Sequence, residues 1–362
     1  MSNKHVILAA GGTGGHLFPA FALAEELIRR NHIVDLITDK RGERFRGDFP
    51  GRDVYIVNSA TFASRSPFAI LQAGWKLVSG TWSTWRLLGR LRPQAVVGFG
   101  GYPTFPPLVA SYLRKIPCAV HEQNAVMGRA NRFFAKFVTT IAMSFKDTKY
   151  ITGELLAKSH FTGNPVRNIV REWSSVPYTS PQPGGDFHLL VFGGSQGARF
   201  FSDVVPQAVT QLPQELRRRL KIVQQCREED AARVEKAYIH AGIAADIAPF
   251  FENLAEYITQ SHLVIARSGA SSVAELAVLG RPSLLVPLPH ALDNDQLLNA
   301  KRLTDTGGAC YIPQDELDAE RLNKELTKFL SEPFRLAHAA RAAKEMGEPD
   351  AVNLLAHMVE GL

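Results

Sequence analysis

Two glycine-rich turns, 182 residues apart, constrain this 362-residue chain more than any other feature. Residues 6–16 read VILAAGGTGGH and residues 189–198 read LLVFGGSQGA. In each, an apolar strand-like run ends in Gly-Gly, a small hydroxyl residue follows (Thr13, Ser195), and another glycine comes two positions later. Helical periodicity begins just beyond. A strand that turns through glycines into a helix lets backbone N–H groups close on an anion, and the helix N-terminus adds roughly half a positive charge. Two such turns, half a chain apart, predict an α/β protein of two mononucleotide-type domains facing a common cleft.

The rest of the chain fits that division. A hydrophobic content of 45% and a charged content of 21% are globular values, and this length suits two domains of roughly 150–200 residues. Strand-like runs at 5–10, 33–38, 54–57, 95–99, 118–121 and 140–143 alternate with helical stretches at 19–30 and 68–91. Such alternation predicts a parallel sheet with helices on both faces. The segment 162–183, with Gly163-Asn164-Pro165 and a Ser/Pro-rich stretch, reads as a connection, so the first domain is placed at 1–163. The pattern restarts with strands at 187–192, 220–224, 245–250, 262–266 and 283–286 and helices at 200–212, 228–240 and 272–279, giving a second domain at 164–341. Residues 342–362 hold a helical stretch at 350–358 that is expected to pack back on the first domain.

Three scattered cysteines, Cys118, Cys226 and Cys310, suit a reducing compartment and no metal site. No apolar run approaches the roughly 18–20 residues that span a bilayer, and the chain opens on a strand rather than a secretory signal. A cytoplasmic protein is expected. Residues 1–163 hold 21 basic and 10 acidic residues, a net +11, whereas residues 164–362 hold 20 and 25, a net −5. A basic half points to an anionic partner: a membrane surface, a phosphorylated substrate or nucleic acid. No RNP or helix-turn-helix pattern supports the last, so no nucleic-acid partner is expected.

The first glycine turn lacks the Lys-Ser/Thr of a Walker loop. Asp35, about 20 residues on, keeps a dinucleotide-binding dehydrogenase in view. His16 follows the glycines at the expected helix start. There the helix dipole lowers the pKa of an imidazole and suits it to accept a proton, unless it serves only as a capping or packing residue. Gly98-Phe99-Gly100-Gly101-Tyr102-Pro103 is a third glycine cluster, and His121-Glu122-Gln123-Asn124 ends another strand, where open α/β sheets hold ligands. In the second half, Arg267-Ser268-Gly269-Ala270-Ser271-Ser272-Val273-Ala274-Glu275 is a Ser/Gly turn entering a helix. Glu275 could hold a ribose diol, or Ser272 and Glu275 could form a capping box. A polar loop, His290 to Gln296, is suited to hydrogen-bonding a sugar. Phe68, Leu71, Trp75, Val78, Trp82 and Trp85 recur at spacings of three and four with Lys76, Arg86 and Arg90 nearby. That stripe is either a buried helix face or a membrane-interfacial patch, the second being favoured by three tryptophans among basic residues.

Taken together, GGTGGH at 11–16, GFGGYPT at 98–104, HEQN at 121–124, GNPVR at 163–167, GGSQGA at 193–198 and RSGASSVAE at 267–275 resemble the MurG family, the peptidoglycan N-acetylglucosaminyltransferases that convert lipid I to lipid II. The resemblance implies a GT-B fold of two Rossmann-like domains with parallel sheets facing a deep cleft. It implies UDP-N-acetylglucosamine as donor, and as acceptor undecaprenyl-pyrophosphoryl-MurNAc-pentapeptide, whose 4-hydroxyl takes the sugar with inversion. Matched by motif, Ser195 and Gln196 face the donor diphosphate. Ala270, Ser271, Ser272, Glu275, Gln296, Arg167 and Asn124 complete the donor site, Phe251 reads uracil through its backbone, and Thr13, Gly14 and Gly15 reach the donor from across the cleft. Gly12, Gly101 and Tyr102 lie on the acceptor diphosphate side, and His16 is the base. Leu71, Trp75, Lys76, Val78, Trp82, Trp85 and Arg86 form the patch that meets an anionic membrane at the cytoplasmic face, with other cell-wall synthesis proteins as candidate partners. Asp295 stands where His or Gln is more usual, and Ser271 and Ser272 replace bulkier residues. No carboxylate pair or His/Cys cluster has metal spacing, so no metal and no cofactor is expected, and backbone amides take over charge stabilisation. A nucleotide-sugar 2-epimerase on the same fold is the alternative.

Overall fold

The computed structural model describes residues 3–12, 14–59, 67–194 and 198–362, apart from the side chains of 67–71 and 73. The chain divides into two compact units, Met1–Arg167 with Pro349–Leu362, and Asn168–Glu348.

In the first unit, β1 (His5–Ala9), β2 (Ile33–Thr38), β3 (Val54–Ile56), β4 (Ala95–Gly98), β5 (Cys118–Glu122), β6 (Thr140–Met143) and β7 (Ser159–Phe161) form one sheet in the order β3-β2-β1-β4-β5-β6-β7. Every pairing is parallel, with Ile7 opposite Asp35 on one side and Val96 on the other. Side chains alternate across a strand, so Val6 and Leu8 enter one layer and Ile7 the other. Both layers are covered, which is why these strands read as unbroken apolar runs. Helix α1 (Gly14–Arg29) contributes Leu17, Leu23 and Leu27 to the first layer; α2 (Pro67–Leu91) and α3 (Phe105–Leu113) contribute Leu88 and Leu108 to the second. A short helix α4 (Arg129–Phe134) follows β5.

The second unit repeats the plan. β8 (Phe187–Phe192), β9 (Leu220–Gln225), β10 (Ala244–Ala248), β11 (Leu263–Ala266), β12 (Ser283–Leu285) and β13 (Ala309–Tyr311) make a parallel sheet in the order β10-β9-β8-β11-β12-β13. Phe187, Leu189, Val191, Ile222 and Ile265 pack with Phe201 and Val205 of the helix Arg199–Thr210.

Several elements depart from the sequence-based expectation. Helix α1 starts at Gly14 rather than 19, which leaves Pro19 inside the helix and His16 in its first turn. The edge strands β7 and β13 are three residues long and were not expected. Nor was α3, which opens on Phe105-Pro106-Pro107. Both prolines sit in its first turn, where a backbone N–H has no helical partner to lose.

The units part at 167/168 rather than 163/164. Val166 is buried, His121 Nε2 donates to the Gly163 carbonyl at 3.1 Å, and the Arg167 guanidinium lies 5.5 Å from the Phe18 ring, all within the first unit. The second unit runs to Glu348 rather than 341 because the helix Pro333–Met346 is continuous across that position. The helix Ala351–Glu360 belongs to the first unit, with Leu355, Ala356 and Val359 in the layer that covers Leu17 and Leu23. Arg30 and His32 hold its Glu360 carboxylate at 2.8 and 3.0 Å.

Candidate active site

Each sheet has the strand order in which the connections leave the first strand in opposite directions, so a crevice opens at the carboxyl ends of the two central strands. In the first unit these are β1 and β4. The loops that follow them touch. A methyl group in place of the Gly11 hydrogen would sit 2.2 Å from Pro103 Cγ, so no larger residue fits there. Gly100, with φ +90°, presents bare backbone to the His16 ring; a Cβ there would come 3.3 Å from Cε1. His16 is thereby held in the crevice, half-buried, between the two glycine loops. Its Nδ1 lies 3.2 Å from Gln123 Oε1. Burial pushes its pKa below the ordinary histidine value, bonds to Gln123 and the Phe99 carbonyl act against this, and the charge of Arg41 adds to the lowering. The Arg41 guanidinium lies over Gly12 and is anchored to Asp39 at 2.9 Å.

The end of β5 supports this crevice. Burial pushes His121 down to about 4, so it is neutral at pH 7. Glu122 is buried and accepts hydrogen bonds from the Asn124 and Gly128 backbones and from Asn131 Nδ2, which ties the loop after β5 into one conformation. Asn124 also donates its side chain to Glu122, at 3.3 Å. Tyr102 begins a short 3-10 turn and is half-buried, with Gly101 capping it at φ +79°. Gly14 is buried and Gly15 exposed at the start of α1; Thr13 lies outside the described residues. Arg167 sits in this same unit, over Phe18.

Asp35 is not placed for a ribose. It sits in mid-strand, fully buried, 2.8 Å from His5 Nε2 and 2.6 Å from Arg52. Burial alone would raise its pKa, but these two partners carry it below the usual carboxylate value. A dinucleotide-binding acid belongs at the strand end, so the dehydrogenase reading loses its acid.

In the second unit the corresponding crevice lies beyond β8 and β11. Gly193 and Gly194 follow β8, and Ser195 and Gln196 lie outside the described residues. Beyond β11, the helix Ala270–Leu279 has Gly269 at its N-cap, which offers no side chain to its first N–H groups. Ser272 is thus the third helical residue, and the capping box with Glu275 does not form. Ala270 and Glu275 are buried, Ser271 and Ser272 half-buried, and the Ser271 hydroxyl has no hydrogen-bond partner.

Three residues to which the sequence alone assigns no role organise these loops. Gln225, at the end of β9, accepts from Gly193 N and donates to the Pro249 carbonyl, both at 3.1 Å, joining the glycine loop to the segment that carries Phe251. The Phe251 side chain is buried against Tyr257, which leaves its backbone as the part a ligand can meet. Arg267 is buried, pushed down to about 10 by desolvation, and donates to the Val286 and Pro287 carbonyls. Asn299 donates to the Ser268 carbonyl, and Ser268 Oγ to the Gln296 carbonyl. Gln296 Oε1 accepts from Leu288 N at 2.9 Å, so its amide NH2 is the end left for a ligand. Asp295 caps the same turn through Gln296 N, and burial raises its pKa.

The α2 stripe divides. Trp75 and Trp82 are 73% and 61% exposed, and Val78, Lys76 and Arg86 are exposed beside them. Trp85 is half-buried against the core, stacked on Trp82 and covered by the Arg114 guanidinium at 3.9 Å. The side chain of Leu71 lies outside the description. Tyr112 and Leu113 at the end of α3, and Phe133 and Phe137 at α4, are further exposed apolar residues, with Tyr112 and Phe137 in ring contact. Among the described residues no helix is long and apolar enough to cross a membrane.

Two parallel α/β units, each with glycines at the end of its first strand, have the architecture of the GT-B class. Models of the glycosyltransferase family 28 N-terminal and C-terminal domains match residues 6–143 and 188–355. A UDP-N-acetylglucosamine–N-acetylmuramyl-(pentapeptide) pyrophosphoryl-undecaprenol N-acetylglucosamine transferase of Chelativorans sp. is 52% identical over all of this chain and 96% of its own length. The crystal structure of Acinetobacter baumannii MurG superimposes with a TM-score of 0.82 at 28% identity, covering 99% of this chain and 100% of that one. A UDP-GlcNAc 2-epimerase from Neisseria meningitidis, bound to UDP-GlcNAc, covers 99% of this chain and 100% of its own at a TM-score of 0.67 and 12% identity, a likeness of fold alone. The chain belongs to glycosyltransferase family 28 and, within it, to the MurG family of N-acetylglucosaminyltransferases.

Proposed function

We propose that this chain transfers N-acetylglucosamine from UDP-N-acetylglucosamine to the 4-hydroxyl of the N-acetylmuramyl unit of undecaprenyl-pyrophosphoryl-MurNAc-pentapeptide, releasing UDP with inversion at the anomeric carbon. The observation that carries the reading is His16, a neutral imidazole held in the β1/β4 crevice at the start of a helix. As the hydroxyl oxygen attacks the anomeric carbon, its proton passes to His16 and the sugar–phosphate bond breaks toward UDP. A positioned base of this kind contributes about 10²–10⁴ in rate. Gly12, Gly101 and Tyr102 border the same crevice and take the acceptor diphosphate.

The second unit takes the donor. Ser195 and Gln196 meet the diphosphate, and Glu275 accepts from the ribose hydroxyls. The Gln296 amide donates to the sugar, and the Phe251 backbone reads uracil. The uncapped start of Ala270–Leu279 and the unpartnered Ser271 hydroxyl support an anionic or polyhydroxyl ligand at Ala270, Ser271 and Ser272.

The acceptor's lipid requires a membrane, and the exposed Trp75, Val78 and Trp82 with Lys76 and Arg86 suit peripheral attachment to an anionic cytoplasmic leaflet. The test is to incubate the protein with radiolabelled UDP-N-acetylglucosamine and lipid I in anionic vesicles. Label is expected in the lipid, with vesicle binding that weakens as salt rises and in a Trp75→Ser, Trp82→Ser double variant. Label that stays in nucleotide sugar, or appears in its 2-epimer, overturns the assignment.

A further inference from the structure

The hydrogen bonds around Gln123 leave little freedom of proton placement. Its Nε2 lies 2.9 Å from the Phe99 carbonyl, 3.1 Å from the His121 carbonyl and 3.0 Å from His121 Nδ1. Two of these are carbonyl oxygens, which only accept, so an amide nitrogen must face them; a flipped amide would set oxygen against oxygen twice. With the amide so oriented, Oε1 is the atom that faces His16 Nδ1. An amide oxygen only accepts as well. Nδ1 therefore carries the hydrogen, and the neutral imidazole keeps its lone pair on Nε2. The same logic runs outward: the Gly163 carbonyl only accepts, so neutral His121 carries its hydrogen on Nε2 and turns an accepting Nδ1 toward the Gln123 amide. The ring hydrogens are thereby placed on His121 Nε2 and His16 Nδ1, while the two Gln123 amide hydrogens are shared among the Phe99 carbonyl, the His121 carbonyl and His121 Nδ1.

We propose that Gln123 is a positioning residue for His16, whose amide, locked by Phe99 and His121, holds the imidazole as the Nδ1–H tautomer with Nε2 free to take the acceptor's proton. The proposal rests on the reading of His16 as the base. Without Gln123 the imidazole loses its amide partner and keeps only the Phe99 carbonyl, so the Nε2–H form, which places a hydrogen where the lone pair is needed, becomes accessible. Sequence alone shows Gln123 only as the third residue of a polar run.

The charged and titratable groups that face His16 are Arg41, lying over the glycine loop, and His121, behind Gln123. The other neighbours, Gly100, Gly101 and Asn131, carry no charge. The Gln123 bond favours the protonated ring, so removing it moves the acid limb of turnover to lower pH, whereas a carboxylate in its place moves that limb to higher pH.

The tautomer is read directly by nitrogen-15 NMR of the histidine-labelled whole protein, with His16→Ala identifying the His16 signal. The wild-type spectrum at neutral pH is expected to show His16 as Nδ1–H. In Gln123→Met it is expected as Nε2–H, with kcat at least tenfold lower, KM for UDP-N-acetylglucosamine within twofold, and the acid limb moved down. Gln123→Glu is expected to recover the Nδ1–H form and move the limb up. An Nε2–H form in the wild type overturns the proposal without any variant, and so does a Gln123→Met protein whose loss lies in KM alone. A tautomer that changes as expected while His16→Ala keeps normal turnover is a different result: it removes the base reading.

Discussion

In the first unit the loops after the two central strands hold an imidazole between bare glycine backbone, and every group that fixes it is a neutral amide, carbonyl or second imidazole. In the second unit the loop after β11 carries a helix start, serine hydroxyls and the Glu275 carboxylate, and the segment after β12 carries the Gln296 amide, with Arg267 bonded to the Val286 and Pro287 carbonyls. On the proposed reading, one backbone device serves two chemistries. A site that moves a proton needs its titrating group kept neutral and fixed in one tautomer. A site that binds a charged, hydroxyl-rich molecule needs donors and acceptors, and tolerates a buried cation in its scaffold.

The comparison breaks most readily at His16. Replacement by Ala should lower kcat by about 10²–10⁴ and leave KM for UDP-N-acetylglucosamine nearly unchanged in steady-state assays. A rise in that KM with kcat intact would show that the first crevice binds donor rather than catalyses. A smaller effect concerns acid. His121 has a folded pKa of about 4 against 6.5 when unfolded, so between these values the unfolded chain binds the extra proton. Stability is therefore lost as pH falls from 6.5 toward 4, with His121 contributing on the order of 3 kcal/mol at the lower end. Thermal melts across this range should show a flatter pH dependence in His121→Gln than in the wild type; parallel curves would mean that the first crevice does not bury a neutral histidine. The smallest expected change is Glu275→Gln, which keeps the shape but halves the acceptor capacity. Donor KM should rise roughly tenfold, equivalent to about 1.4 kcal/mol, with kcat altered less. Isothermal titration with UDP gives the check, and unchanged affinity would remove Glu275 from the ribose.

The two sheets were legible because buried parallel strands declare themselves as apolar runs, and the glycine turns mark where they stop. What escaped had a physical reason. Pro19 pulls a sequence-based helix start toward itself, since proline is favoured at the first helical position, yet α1 accepts it later and begins at Gly14. The edge strands β7 and β13 are half-buried or exposed along their whole length, so neither reads as a buried apolar run. At the site, His16, Glu275 and Gln296 stood out by type and position. Gln123, Gln225, Asn299 and Arg267 did not, because their roles consist of bonds to backbone atoms distant in sequence. Arg41 lies beyond β2 and reaches Gly12 only through the fold. The tryptophan stripe was readable as a helix face, but not that Trp85 would turn inward beneath Arg114 while Trp75 and Trp82 stayed outside.

The helix Ala351–Glu360 gives the first unit a history as well as a shape. Its Leu355, Ala356 and Val359 complete the layer behind α1, yet they are made only after all of Asn168–Glu348. At roughly 5–20 residues per second, a ribosome needs on the order of 10–40 s to cross that interval. During that time the nascent first unit has a sheet and a glycine turn but an unfinished apolar layer behind the helix that carries His16. The unit that bears His16 is begun first and closed last, so its final packing depends on the synthesis of the other.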